Sequence, residues 1–113
     1  MSVSKNTYGI VGYDLIKYKD EIYTEENVES DWYENLRDNQ RVGEIQIFDD
    51  PMCGDYLYFG YIFFKTDEYY ESAMKSISLT EINNVSKCVK DKLMEHFDIQ
   101  MDEVQIIIFN EFT

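Results

Sequence analysis

Three aspartates crowd one short stretch, Asp49-Asp50-Pro51-Met52-Cys53-Gly54-Asp55, and carboxylates so close could hold a hard divalent cation together with backbone oxygens. The spacing fits no calcium loop, because no glutamate stands where an EF-hand requires one. Asp before Pro and Gly near the end are also what a tight turn wants, so turn chemistry is the more economical account. His96, the sole histidine, falls in the last turn of a predicted helix, where a partial positive charge suits the helix dipole. Nothing nearby supplies the nucleophile or acid that a catalytic histidine would need. Cys53 sits beside Gly54 among aspartates, which disfavour a thiolate. A Gly-rich phosphate loop and a serine-centred elbow are both missing. The residues that could do chemistry therefore predict no enzyme, no metal and no cofactor.

Charge is the outlying property. Twenty-three acids against ten bases give a net charge of −13 over 113 residues, with the acids spread along the whole chain. Such a chain repels nucleic acid and anionic membrane, and it attracts basic partners. At about one charge per 1.7 Å of duplex, thirteen net charges match roughly 22 Å of DNA. A domain of this length is roughly 30–35 Å across. Acids gathered on one face would therefore approach the charge density of a duplex, and tyrosines beside them could mimic stacked bases. The plain alternative is a solvated acidic surface that confers solubility.

One domain fits this length, with a core that needs no staple. Cys53 and Cys88 are too few and too far apart for a metal or redox motif. The opening MSVSKNTYG does not read as a signal peptide, so free thiols and a cytoplasmic location are expected. No apolar run approaches the ~20 residues that span a bilayer.

The elements that must position these groups follow from periodicity. Residues 1–6 are polar and expected to fray. Tyr8 to Ile16 carries apolar groups on both faces, as a central strand does. Lys17 to Tyr23 reads as a charged connection. Thr24 can cap one helix running to about Asp38, with Val28, Trp32 and Leu36 as its apolar stripe. A hairpin follows: a half-buried strand around Ile45 and Ile47, the acidic loop, and a returning strand from Tyr56 to Phe64. One face of that strand should meet the helices, leaving a tyrosine-rich face open to solvent or a partner. Thr66 to Glu71 reads as an acidic turn, and Ala73 to Ser78 as a short extra strand or an irregular entry. Ser78-Leu79-Thr80-Glu81 is a capping box. Behind it Ile82, Val85, Val89, Leu93 and Phe97 recur at helical spacing. Val104 to Phe109 is a final, almost wholly apolar strand.

The order β-α-β-β-α-β predicts an α+β domain of the ferredoxin-like split βαβ type: a single antiparallel sheet of four or five strands with two helices on one face. The first and third strands would be central. The last would lie at an edge, where its apolar character invites homodimerisation.

The functional expectation is a non-enzymatic acidic inhibitor of a basic, nucleic-acid-handling protein, such as an effector nuclease. It would not bind nucleic acid or membrane itself. Small acidic chains of this kind are typical of phage counter-defence proteins, anti-CRISPR or anti-restriction, which act in the host cytoplasm. The expected contacts are Glu25, Glu26, Glu29, Asp31 and Glu34 of the first helix with Asp49, Asp50, Asp55, Asp67 and Glu68 of the loops. Tyr56, Tyr58 and Tyr61 join them. The alternative is a dimeric interaction or small-ligand module that uses the tyrosine face of the sheet.

Overall fold

Apolar residues on both faces of the first strand demand cover on both sides, and the fold supplies it. The computed structural model describes residues 5–38, 41–50, 54–67 and 76–112. Its four strands are β1 (Lys5–Asp14), β2 (Ile45–Asp49), β3 (Leu57–Asp67) and β4 (Gln105–Phe112). They form one open antiparallel sheet in the order β2-β3-β1-β4, so the first and third strands are central. The helices are α1 (Lys19–Ile22), α2 (Glu25–Val28), α3 (Asp31–Asp38) and α4 (Leu79–Phe97). The architecture is α+β. No helix among the described residues is long and apolar enough to cross a membrane.

Three local expectations are corrected. β1 begins at Lys5, because Lys5 and Asn6 pair with Phe112 and Glu111 of β4; the stretch before Tyr8 is not all frayed. The charged connection after β1 is helical: a 3-10 turn at Ile16–Tyr18 leads into α1, whose Ile22 is fully buried. The Asp14 side chain accepts from the Ile16 amide at 3.1 Å and starts that turn. The third correction concerns the predicted helix from Thr24 to Asp38, which is broken in two. Thr24 caps α2 as expected, accepting from the Asn27 amide at 3.2 Å. The Ser30 hydroxyl then accepts from the Tyr33 amide at 3.4 Å and starts α3 afresh. Serine competes for backbone donors in this way, which suits it to caps better than to helix interiors. The break re-aims the helix: Val28 is 43% exposed, while Tyr33 and Leu36 are buried.

α4 follows its pattern. Val89 and Leu93 are buried, with Phe97 packed against the same core. Ser78 accepts from the Glu81 amide at 3.1 Å, and the helix stops at Asp98 in the left-handed conformation (φ 55°). Ser78→Ala should lower stability by about 1 kcal/mol in chemical denaturation, the usual worth of such a cap. The possible extra strand at Ala73 to Ser78 lies largely outside the described residues; Ser76 to Ser78 are not in a strand.

The sheet has two unlike faces. On one, Tyr13, Leu15, Ile47, Leu57 and Phe59 pack with side chains from α1, α3 and α4. On the other, Tyr8, Ile10, Phe48 and Ile62 form a second buried cluster rimmed by Tyr56, Tyr58, Ile107 and Phe109. Phe48 and the buried Gln46 mean that β2 is covered on both faces, not half-buried.

The second cluster exists because the sheet coils. Tyr8 pairs with Lys65 and Phe48 with Tyr58, so the two positions are seven residues apart along β3. On a flat strand that is roughly 23 Å. Their ring centroids nevertheless lie 4.8 Å apart. Between them Gly12 and Gly60 face each other in register, leaving the two central strands without a side chain in that row. The ends of the sheet bend over that gap until their rings meet. A bulge between Gly9 and Ile10, opposite the extra residue Phe63, adds to the bend.

Candidate functional site

A dense run of exposed carboxylates lies on the three short helices and their joins. Asp20, Glu21, Glu25, Glu26, Glu29, Asp31, Glu34 and Asp38 are all exposed between Lys19 and Asp38, against the two bases Lys19 and Arg37. Their local structure explains the density. Glu25 and Glu26 fill the first turn of α2, and Asp31 and Glu34 that of α3, where carboxylates meet the positive ends of the helices. Asn27 ties the array together: its side-chain amide donates to the carbonyls of Glu21 and Ile22 at 3.4 and 3.1 Å. Breaking one helix into two thus creates a second acidic first turn.

Arg37 is not free to neutralise this surface. It reaches across to Asp49 of β2 at 3.5 Å. Tyr23 and Tyr33 converge on the same carboxylate. Burial, helped by the Asp49 charge, raises the Tyr23 phenol and pushes that of Tyr33 up to about 12. Tyr23 also hydrogen-bonds Asp49. The Tyr33 hydroxyl is buried without a hydrogen-bond partner among the described residues. Asp49 is therefore the centre of a polar cluster between α3 and the sheet rather than an outward contact point. Sequence reading could not find this, because Arg37, Tyr23 and Asp49 belong to three separate segments with no fixed spacing between them.

The hairpin loop is built as a turn. The Asp50 carboxylate accepts from the Asp55 amide at 3.2 Å, and its carbonyl accepts from Gly54 at 3.0 Å. Gly54 takes φ +68°, which glycine tolerates best. Asp55 is exposed. Pro51, Met52 and Cys53 lie outside the described residues, as does Glu68; Asp67 ends β3, with its side chain outside them as well. Of the acidic turn expected from Thr66 to Glu71, Thr66 and Asp67 belong to β3 and the rest lies outside the described residues.

The three tyrosines do not act together. Tyr56 and Tyr58 stack at 5.4 Å, and Phe109 abuts them at 6.2 and 4.7 Å. Burial, then the charges of Glu111, Asp50 and Asp49, pushes the Tyr56 phenol up to about 12. Tyr61 points to the opposite face, against the helix-side core. The expected open tyrosine platform is corrected: its centre is a buried aromatic cluster, and only its rim is half-exposed.

Two further recesses went unpredicted. A cleft of about 510 Å³ beside the end of β1 is lined by Tyr13, Asp14, Lys17, Tyr18, Asp102 and Glu103, among others. Between α4 and β2 a second, of about 420 Å³, is lined by Ile45, Tyr61, Val85, Cys88, Lys92 and His96 among others. His96 stacks on Trp32 with ring centroids 4.7 Å apart, and burial lowers its pKa. The stack makes His96 a packing residue rather than a simple surface cap, a contact that no helical spacing could reveal. Comparison of the chain with protein-family models, with curated proteins and with solved structures gave no match.

Proposed function

We propose that this chain is a non-enzymatic acidic binding protein that occupies the nucleic-acid-binding surface of a basic partner, in the manner of a phage counter-defence inhibitor. The observation that carries the reading is the exposed array on α1 to α3, eight carboxylates with two bases, one of which is engaged by Asp49. A basic groove that evolved for phosphates would recognise such an array electrostatically. Glu25, Glu26, Glu29, Asp31 and Glu34 are the principal contacts, with Asp55 at the hairpin tip. Asp49 and Asp50 support the surface from within. We read the scaffold as a ferredoxin-like split βαβ, with α1 to α3 standing where that plan has one helix. The place of action is the cytoplasm of the cell that holds the partner. The alternative, a ligand module on the tyrosine face, would have to use Tyr56 and Tyr58, whose rings already stack on each other and on Phe109.

The test is capture from a bacterial lysate at low and high salt. Bound proteins are identified by mass spectrometry, and displacement of a fluorescent duplex from each purified candidate is then measured. A basic nucleic-acid-binding protein should be captured at low salt, released at high salt, and stripped of its duplex by the chain. Neutralising Glu25, Glu26, Glu29, Asp31 and Glu34 to their amides should weaken displacement about 100-fold, the order expected when a steering charge cluster is removed. Displacement that ignores salt, or that survives neutralisation, sinks the reading.

A further inference from the structure

The last strand of the sheet is, among the described residues, an edge without the usual protection. Among the described residues β4 pairs with β1 alone. Edge strands are normally blunted by charge, proline or bulges. β4 reads QIIIFNEF, and its one charged residue is Glu111. Ile106 and Ile108 are 51% and 66% exposed.

Its hydrogen-bonding phase can be deduced. The Leu15 amide donates to the Leu57 carbonyl, which aims the odd-numbered residues at this end of β1 toward β3. Backbone direction alternates along an antiparallel strand, so Tyr8, Ile10 and Gly12 point toward β4. They are in register with Phe109, Ile107 and Gln105. The backbone groups of Ile106, Ile108 and Asn110 therefore point outward. The 2.7 Å bond between the side chains of Thr7 and Asn110 agrees, because side chains approach most closely at the pairs that do not exchange backbone bonds.

We propose that β4 pairs antiparallel with β4 of a second copy of this chain, about a two-fold axis through Ile108. This register sets Ile108 against its own counterpart and Ile106 against Asn110, each exchanging backbone hydrogen bonds. Glu111 then faces Gln105, so no like charges are opposed. Moving the axis to Ile107 would place Glu111 against Glu103, which the like-charge rule disfavours. A second copy is a fitting occupant despite the net charge of −13, because this register opposes no like charges along the strand.

Sedimentation velocity on the full chain, from micromolar to near-millimolar concentration, tests this. The expected result is a reversible dimer with Kd in about the micromolar range, as suits a contact of modest area. Added salt should tighten it by screening self-repulsion, the opposite of its effect on the partner binding proposed above, so the two readings can fail separately. Ile108→Lys puts two like charges on the axis and should weaken the dimer about 100-fold. The register is tested by pairs of changes. Ile106→Lys with Asn110→Glu should keep the dimer, since opposite charges meet across it. Ile106→Lys with Asn110→Lys should abolish it. Circular dichroism on each variant checks folding, and these positions are exposed enough to leave the monomer fold intact. A chain that stays monomeric throughout, or a dimer that the folded Ile108→Lys variant leaves unchanged, overturns the proposal.

Discussion

Replacing Gly12 with alanine should unfold the protein. A Cβ at this position would lie 2.0 Å from the Phe59 carbonyl oxygen and 2.5 Å from the Gly60 Cα, both of them backbone atoms in the neighbouring strand. A side chain in the way could rotate; a paired strand cannot. The methyl group can be admitted only by parting β1 from β3 at the centre of the sheet, where both clusters are anchored. The cost should reach about 5 kcal/mol or more, comparable with the whole folding free energy of a small domain. Gly43→Ala is the control. Gly43 has φ +94° with nothing within 4 Å, so only the backbone preference is lost, about 1 kcal/mol. Denaturant midpoints and far-ultraviolet circular dichroism at neutral pH separate the two. A Gly12→Ala variant that folds as stably as the Gly43→Ala variant would show that the strands are not held so close.

The second large effect is expected in alkali. Burial raises the phenols of Tyr8, Tyr13, Tyr23, Tyr33, Tyr56 and Tyr58, and pushes those of Tyr8 and Tyr33 up to about 12 from an ordinary value of 10.0. An acid that titrates later in the folded chain keeps protons that the unfolded chain has already lost. Unfolding therefore releases protons above pH 10, and stability falls as the pH rises from there toward 12. For Tyr8 and Tyr33, both almost fully buried, two pH units correspond to about 2–3 kcal/mol each. Phenolate absorbance from these six of the ten tyrosines should then appear together with loss of circular dichroism. Ionisation of all ten near pH 10 with circular dichroism unchanged would contradict it. Tyr33→Phe is the informative variant. It removes a buried hydroxyl without a partner among the described residues, so it should cost nothing at neutral pH and flatten part of the alkaline loss.

What could be read from the sequence was what is decided locally. The Ser78 cap, the apolar stripe of α4 and the two-sided character of β1 each depend on residues a few positions apart, and each is found where its spacing put it. The α+β class and the two central strands followed from them. The break at Ser30 was the nearest miss, since a serine mid-helix is a known competitor for backbone bonds, yet the Val28-Trp32-Leu36 stripe pointed the other way. Three features were out of reach. The coil of the sheet comes from Gly12 and Gly60 meeting across strands 48 residues apart, as their pairing shows. The capture of Arg37 by Asp49 needs α3 docked on β2. The loss of the tyrosine platform follows from the coil, because a flat sheet would have left Tyr56 and Tyr58 in the open. The acidity of the candidate surface was legible as a count; which acids are spent on structure was not.

The pairing of β1 has a consequence for the order in which the chain can fold. Both its neighbours are distant in sequence: Thr7 pairs with Thr66 on one side and Asn110 on the other. Such long loops must close before any of these contacts repays the lost entropy, which places the fold among the slow ones. During synthesis the first of these four strands to be made is the last to be completed. It waits for β3, and then for β4, the last of the four. Until then its free side stays exposed to other strands, and β4, the strand that closes it, carries the edge proposed to join two copies.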